Sequence, residues 1–202
     1  PEENVPAIDG SDIYLTLDSS IQFFVEQAIN NADRDYDYEW FHITIADAKT
    51  GAILATANSP SFDPNTRNIT NYLDTLISIS FEPGSTMKTF TYMAAMENGV
   101  YDGTETYKSG VYVTKDGTHI GDWDRNGWGM ISYDRGYALS SNVAVINIIN
   151  RHMNSMMLRQ YFKKLGFGKT TKVELPNEQP GKIDFKYETE IFNAAFGQGI
   201  TT

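Results

Sequence analysis

The stretch FEPGSTMKTFTYMAAMENG, residues 81–99, decides how the rest of the chain is read. From Ser85 to Asn98 the residues Met87, Phe90, Met93, Ala94 and Met96 show no strand alternation and predict a mostly buried helix, closed by Gly99 just past its last turn. That helix is expected at the centre of the fold. At its start Ser85 stands three residues ahead of Lys88, after Pro83 and Gly84. Residues three apart share a helix face, so the Ser85 hydroxyl and the Lys88 amine come within hydrogen-bond reach, as a nucleophile and its base require. Unpaired N–H groups and the positive end of the helix dipole at the first turn favour an alkoxide and the oxyanion that follows it. For Lys88 to accept a proton near neutrality its pKa has to fall from roughly 10.4 to roughly 7, which costs about 4.6 kcal/mol, so such a site must be buried or hold another cation. The plain reading of the same residues is a helix cap and a solvated lysine. With 13 serines and 10 lysines in 202 residues, chance alone supplies about 0.6 Ser-x-x-Lys matches, so the bare pattern decides nothing.

Upstream of this helix, after a polar start, SDIYLTLDSSIQFFVEQAINNA reads as a short strand, an Asp18/Ser19 cap and a helix with Ile21, Phe24, Val25 and Ala28 on one face. FHITIADAKTGAILATAN alternates around Lys49-Thr50-Gly51 and predicts a β-hairpin, and SPSFDPNTRN is a loop. Downstream, residues 100–130 are rich in Gly, Asp, Tyr and Trp and predict turns and short strands. ISYDRGYALSSNVAVINIINRH predicts two helices meeting near Ser140-Ser141-Asn142. There a hydroxyl and a carboxamide are placed to relay a proton and fix a substrate amide; equally, Ser141 or Asn142 merely caps the second helix. SMMLRQYFKKLGFG predicts a further helix stopped at Gly166/Gly168, and VELPNEQPGKIDF a turn and short strand.

Composition narrows the function classes. Lys and Arg total 16 against 26 Asp and Glu, a formal charge of -10, which leaves little to drive binding to nucleic acid or anionic lipid. The absence of cysteine removes disulfides, thiolate nucleophiles and zinc ribbons. His42, His119 and His152 are scattered without ligand spacing, so no metal is expected and the histidines are read as solvated or packed. The start PEENVPAIDG has no basic segment leading into an apolar run, and no run approaches the roughly 20 residues of a membrane span.

In order along the chain, SDIYLTLDSSIQ, DAKTGAILA, PSFDPN, FEPGSTMK, ALSSNVAV, LGFG followed by VELPNEQPG, and FGQGITT resemble the transpeptidase domain of class B penicillin-binding proteins over nearly the whole length. The resemblance implies an α/β (α+β) fold, an antiparallel sheet flanked by helices with a mainly helical subdomain and the Ser85 helix at their junction. It implies that Ser85 is the acylated nucleophile, Lys88 its base, Ser140 a proton relay toward the leaving amine, and Asn142 a holder of the substrate amide that helps orient Lys88. GDWDRNGWG resembles the segment that overhangs the cleft, which makes Trp123 either a groove residue or a plain core or turn tryptophan.

The activity so implied is a serine D,D-transpeptidase that cross-links peptidoglycan stem peptides ending in D-Ala-D-Ala and is acylated by β-lactam antibiotics, with no cofactor. Partners implied are a lipid-linked glycan polymerase and division or elongation proteins; the location implied is the extracytoplasmic face of the cell membrane. Two other readings stay open: a serine β-lactamase, whose base for deacylating water could only come from VELPNE, and a penicillin-sensing or non-catalytic module. The family's third motif, Lys-Thr-Gly or Lys-Ser-Gly, follows the Ser-x-Asn element. Lys49-Thr50-Gly51 and Lys108-Ser109-Gly110 spell it but precede Ser140, and neither is assigned a catalytic role. Residues 1–202 are therefore expected to be the N-terminal and central part of a transpeptidase domain, with an anchor and a pedestal domain before Pro1, the third motif beyond Thr202, and little turnover alone.

Overall fold

The computed structural model describes residues 7–202; part of the polar start, residues 1–6, lies outside them. The chain forms two compact units, one ending at Leu76 and one spanning Ile77–Thr202.

In the first unit helix α1 (Ser19–Asp35) packs on a hairpin of β1 (Phe41–Ala46) and β2 (Ile53–Ser59). The expected cap is present: the Asp18 carboxylate accepts from the Ser20 and Ile21 amides at 2.9 and 3.0 Å. The expected strand before it is not. Residues 11–17 run alongside β2 without strand pairing, tied by Thr16 Oγ1 donating to the Ile53 carbonyl, and Asp18 N–H donates to the Leu54 carbonyl. The buried face of α1 is also turned from the predicted one. Val25 and Ile29 are buried, whereas Phe24 is 65% exposed and Ala28 is exposed. The cause is polar. The Gln22 amide donates to the Thr56 carbonyl at 2.9 Å and accepts from the Thr56 N–H at 3.0 Å, satisfying a strand's backbone and turning the 22–25–29 side inward. Lys49-Thr50-Gly51 forms the hairpin tip as expected: Asp47 Oδ1 accepts from the Lys49 and Thr50 amides and the Thr50 hydroxyl, and Gly51 has φ +76°. His42 is packed, its ring bonded to the hydroxyls of Thr44, Thr56 and Thr75, and burial lowers its pKa. Residues 60–74 form a loop, which includes the predicted SPSFDPNTRN apart from Ser59, the last residue of β2.

The helical turn α2 (Thr75–Ser78) leads into the second unit. A 3-10 turn (Gly84–Thr86) runs straight into α3 (Met87–Glu97), which packs on α5 (Asn142–His152), α6 (Ser155–Lys164) and α7 (Glu188–Ala195). Two short antiparallel ribbons flank this bundle: β3 (Thr106–Lys108) with β6 (Met130–Ser132), and β4 (Val111–Val113) with β5 (His119–Gly121). Helix α4 (Tyr133–Ala138) precedes α5. Seven successive residues of α5, Val143 to Ile149, are buried, as befits a helix apolar all round, and Asn147 among them donates to the Val143 carbonyl. The core continues through Met87, Tyr92, Leu158, Phe162, Phe185 and Phe192. On α3 the buried residues are Met87, Lys88, Thr91, Tyr92, Ala94 and Ala95, while Met93 and Met96 are 37% and 53% exposed. The predicted helix is there, but its inner face carries a lysine, a threonine and a tyrosine that apolar periodicity could not select.

Helix α7 has no counterpart in the sequence reading. Its start is fixed by Glu190, whose carboxylate accepts from the Lys186 and Tyr187 amides. In place of the strand predicted near residue 183 there is a single antiparallel bridge, Lys182 with Thr201.

Candidate active site

Ser85 lies in the 3-10 turn that opens α3, and the end of the chain supports that turn. Gly84 N–H donates to the Gly197 carbonyl at 3.0 Å, Phe81 and Thr202 exchange two backbone hydrogen bonds, and Gly199 N–H donates to Glu82 Oε1. The backbones of residues 84 and 197 are so close that a Cβ on Gly197 would meet the Gly84 carbonyl oxygen at 2.0 Å. The segment FGQGITT thus fixes the entry to α3 from behind.

One turn along, Lys88 is 3% exposed. Its Nζ lies 3.0 Å from Ser85 Oγ and 3.0 Å from Ser140 Oγ, and donates to the Ser140 carbonyl. Burial lowers its pKa from 10.5 to about 8, against an upward pull from the Asp122 carboxylate. At pH 7 about one molecule in ten therefore carries the neutral amine. A neutral amine has two N–H bonds and one lone pair. With both N–H groups on Ser140, the lone pair is left for the Ser85 hydroxyl proton.

Ser140 reaches Lys88 from 52 residues away because of how α4 ends. Ser140 N–H donates to Tyr137 O and Ser141 N–H to Gly136 O, with Ser140 at φ +55°. This is the left-handed helix stop that glycine normally occupies. Ser141 caps α5, accepting from Ala144 N–H at 3.0 Å, so the capping reading of this tripeptide holds for Ser141 and leaves Ser140 free for Lys88. Asn142 opens α5, and its Nδ2 donates to the Gly121 carbonyl at 2.8 Å. The structure thus brings Ser85, Lys88 and Ser140 into direct contact and holds Asn142 two residues beyond Ser140.

Trp123 is no core residue: its indole is 75% exposed, its Nε1 donates to the Leu139 carbonyl beside Ser140, and its ring is 5.6 Å from that of Trp128. Its neighbour Asp122 is a buried carboxylate that the sequence pattern did not single out. Asp122 is 3% exposed and accepts from Ser141 Oγ, Val143 N–H and Gly110 N–H. Its signal was an acidic residue within the quoted segment GDWDRNGWG, indistinguishable there from a turn aspartate. Lys108-Ser109-Gly110 is a structural joint: Ser109 Oγ donates to Gly129 O and accepts from Trp128 N–H, and Gly110 has φ +108°. In VELPNE the Glu178 carboxylate is spent closing its own loop on the amides of Thr171 and Lys172 and the Thr171 hydroxyl, which lower its pKa.

The chain belongs to the penicillin binding protein transpeptidase domain family, whose sequence profile matches residues 42–202. Among relatives, it is 31% identical to the penicillin-binding protein PbpB of Mycolicibacterium smegmatis, covering 96% of this chain and 31% of the relative. It is 30% identical to the peptidoglycan D,D-transpeptidase FtsI of Escherichia coli, covering 92% of this chain and 32% of the relative. The fold superimposes on the crystal structure of penicillin binding protein 2X from Streptococcus thermophilus with a TM-score of 0.88 and 29% identity, over 98% of this chain and 30% of that one. The chain spans about a third of the length of the curated relatives it matches. Among the described residues, no helix is long and apolar enough to cross a membrane.

Proposed function

We propose that this chain is the N-terminal and central part of a serine D,D-transpeptidase domain, in which Ser85 forms the acyl-enzyme. The observation that carries the reading is the buried Lys88 amine, set between the Ser85 and Ser140 hydroxyls at 3.0 Å from each. Neutral Lys88 takes the Ser85 proton as Oγ adds to the carbonyl between two terminal D-alanines, forming the new C–O bond; the tetrahedral adduct collapses with cleavage of the peptide C–N bond as the amine nitrogen is protonated. The proton then held by Lys88 passes through the Ser140 hydroxyl to the departing D-alanine amine. In the second half the amine of a neighbouring stem peptide attacks the ester, gives up its proton along the same path, and restores the Ser85 hydroxyl. Asn142, its amide oriented by the Gly121 carbonyl, holds the substrate amide, and the exposed Trp123 indole lines the groove beside Ser140. β-Lactams acylate Ser85 by the same first step.

The D,D-transpeptidase name of the Escherichia coli relative supports the reaction class. Of the two glutamates in VELPNE, Glu178 is occupied by its own loop, which removes it as the base that a β-lactamase needs to activate water. The whole protein is placed at the extracytoplasmic face of the membrane, where its wall substrate lies, with a glycan polymerase and division or elongation proteins as partners.

The test is labelling of the full-length protein by a fluorescent penicillin. Wild-type protein is expected to be labelled and Ser85→Ala to stay dark; label that survives Ser85→Ala overturns the assignment.

A further inference from the structure

We propose that Asp122 is a positioning residue of this site: its buried carboxylate clamps the turn that carries Ser140 and Asn142 onto the β4–β5 ribbon. The inference rests on the transpeptidase reading above and adds a residue to it.

The clamp is built from both carboxylate oxygens. Oδ1 accepts from Ser141 Oγ at 2.8 Å and from Val143 N–H at 3.0 Å, which grips the turn between α4 and α5. Oδ2 accepts from Gly110 N–H at 2.9 Å, while Asp122 N–H donates to Gly110 O at 2.7 Å, which grips the ribbon. The adjacent Gly121 carbonyl holds Asn142 Nδ2 at 2.8 Å. Two consecutive residues therefore anchor the start of α5, immediately after Ser140. Ser140 itself stands in a left-handed conformation that costs a non-glycine residue about 1–2 kcal/mol, and the anchored start of α5 helps to hold its hydroxyl on Lys88.

The charge of Asp122 has a second consequence. A carboxylate with three donors of this kind is stable in a buried site without a cation in contact, and its negative potential reaches Lys88, favouring the protonated amine. Near this pair is the Tyr107 phenol of β3, pushed up to about 12 mainly by burial and raised further by the Asp122 charge, while the Arg125 side chain lies along Gly121. Replacing the carboxylate by an amide should release the Lys88 proton at lower pH while loosening the turn. A merely structural aspartate would affect the amount of folded protein and leave the titration in place.

The experiment is the second-order rate of acylation of the full-length protein by a fluorescent penicillin, followed from about pH 6 to about pH 9.5. Asp122→Asn retains one acceptor oxygen, and is expected to lower the plateau about tenfold and to move the acid limb to lower pH by about half a unit. Ser141→Ala keeps the charge and removes one donor to it together with the cap on Ala144 N–H; its plateau is expected to fall about threefold with the limb unmoved. An Asp122→Asn profile that overlays wild type, or a limb displaced to higher pH, overturns the proposal. Should Asp122→Asn not fold, Ser141→Ala decides, and a plateau within measurement error of wild type overturns the clamp. Failure of the transpeptidase reading looks different: wild type stays dark or Ser85→Ala is labelled, and both inferences fall together.

Discussion

Four helices of the second unit end in the same way, and one differs in a single residue. After α3, α6 and α7 the chain turns back through a left-handed residue whose N–H and the next N–H donate to carbonyls three and five residues before. At those three stops the left-handed residue is Gly99, Gly166 or Gly197. After α4 it is Ser140. The backbone geometry is shared, so the stop itself does not need a side chain, and a serine there carries a conformational cost. What Ser140 has and the glycines lack is a hydroxyl, and that hydroxyl is 3.0 Å from the Lys88 nitrogen. Strain retained where a strain-free residue would serve the fold equally well points to chemistry.

The sharpest way to break this comparison is to make the fourth stop like the others. Ser140→Gly removes the relay while relieving the backbone, so acylation by penicillin is expected to fall by about 10²-fold or more. In the same protein the thermal midpoint should rise, by the equivalent of about 1 kcal/mol. A variant that loses both stability and activity would show Ser140 to be a packing residue. Next in size is the reverse change at the most crowded glycine. Gly197→Ala adds a methyl group against the Gly84 carbonyl to a left-handed conformation, and is expected to cost about 2–4 kcal/mol in denaturant unfolding. The pH dependence follows. With Lys88 titrating at about 8, the neutral amine rises from about 1% at pH 6 to about half at pH 8, so acylation should increase about 50-fold over that range and level off above it. Stability moves in the same direction. Because the folded-state pKa lies below 10.5, the unfolded chain binds more protons between about 8 and 10.5, and the Lys88 contribution makes the fold more stable as pH rises through that window. A flat acylation profile from pH 6 to 8 would mean that the base is some other group. Smallest is Gly99→Ala, where an added methyl group meets nothing within 4 Å and only the left-handed backbone is strained; about 1 kcal/mol is expected.

Much of this was legible along the chain. The hairpin at Lys49-Thr50-Gly51, the helix after Ser85, the junction at Ser140 and the stops at Gly99 and Gly166 all rest on contacts within a few residues, which turn and cap chemistry report directly. The face of α1 was misread because Gln22, a polar residue, is the one that binds the neighbouring strand. Apolar pattern alone does not select the inner face of α3 for a similar reason: Lys88 and Thr91 are buried there, Thr91 Oγ1 donating to the Ala195 carbonyl 104 residues away. Helix α7 was missed although Glu190 caps it locally, for its first turn, YETE, carries little apolar pattern.

By itself the sequence determined that Ser85 and Lys88 lie on one side of one helix, since three residues make nearly one turn wherever that helix is placed. It also determined, through many short segments in a shared order, the family to which the chain belongs. The tertiary structure decided the reactivity of the pair. Lys88 is held near pKa 8 only because α3 is enclosed on several sides, and the groups that receive its N–H bonds and tune its charge, Ser140 and Asp122, come from 52 and 34 positions further along the chain. Desolvation and Coulomb interaction act through space, so no local pattern of residues can encode them.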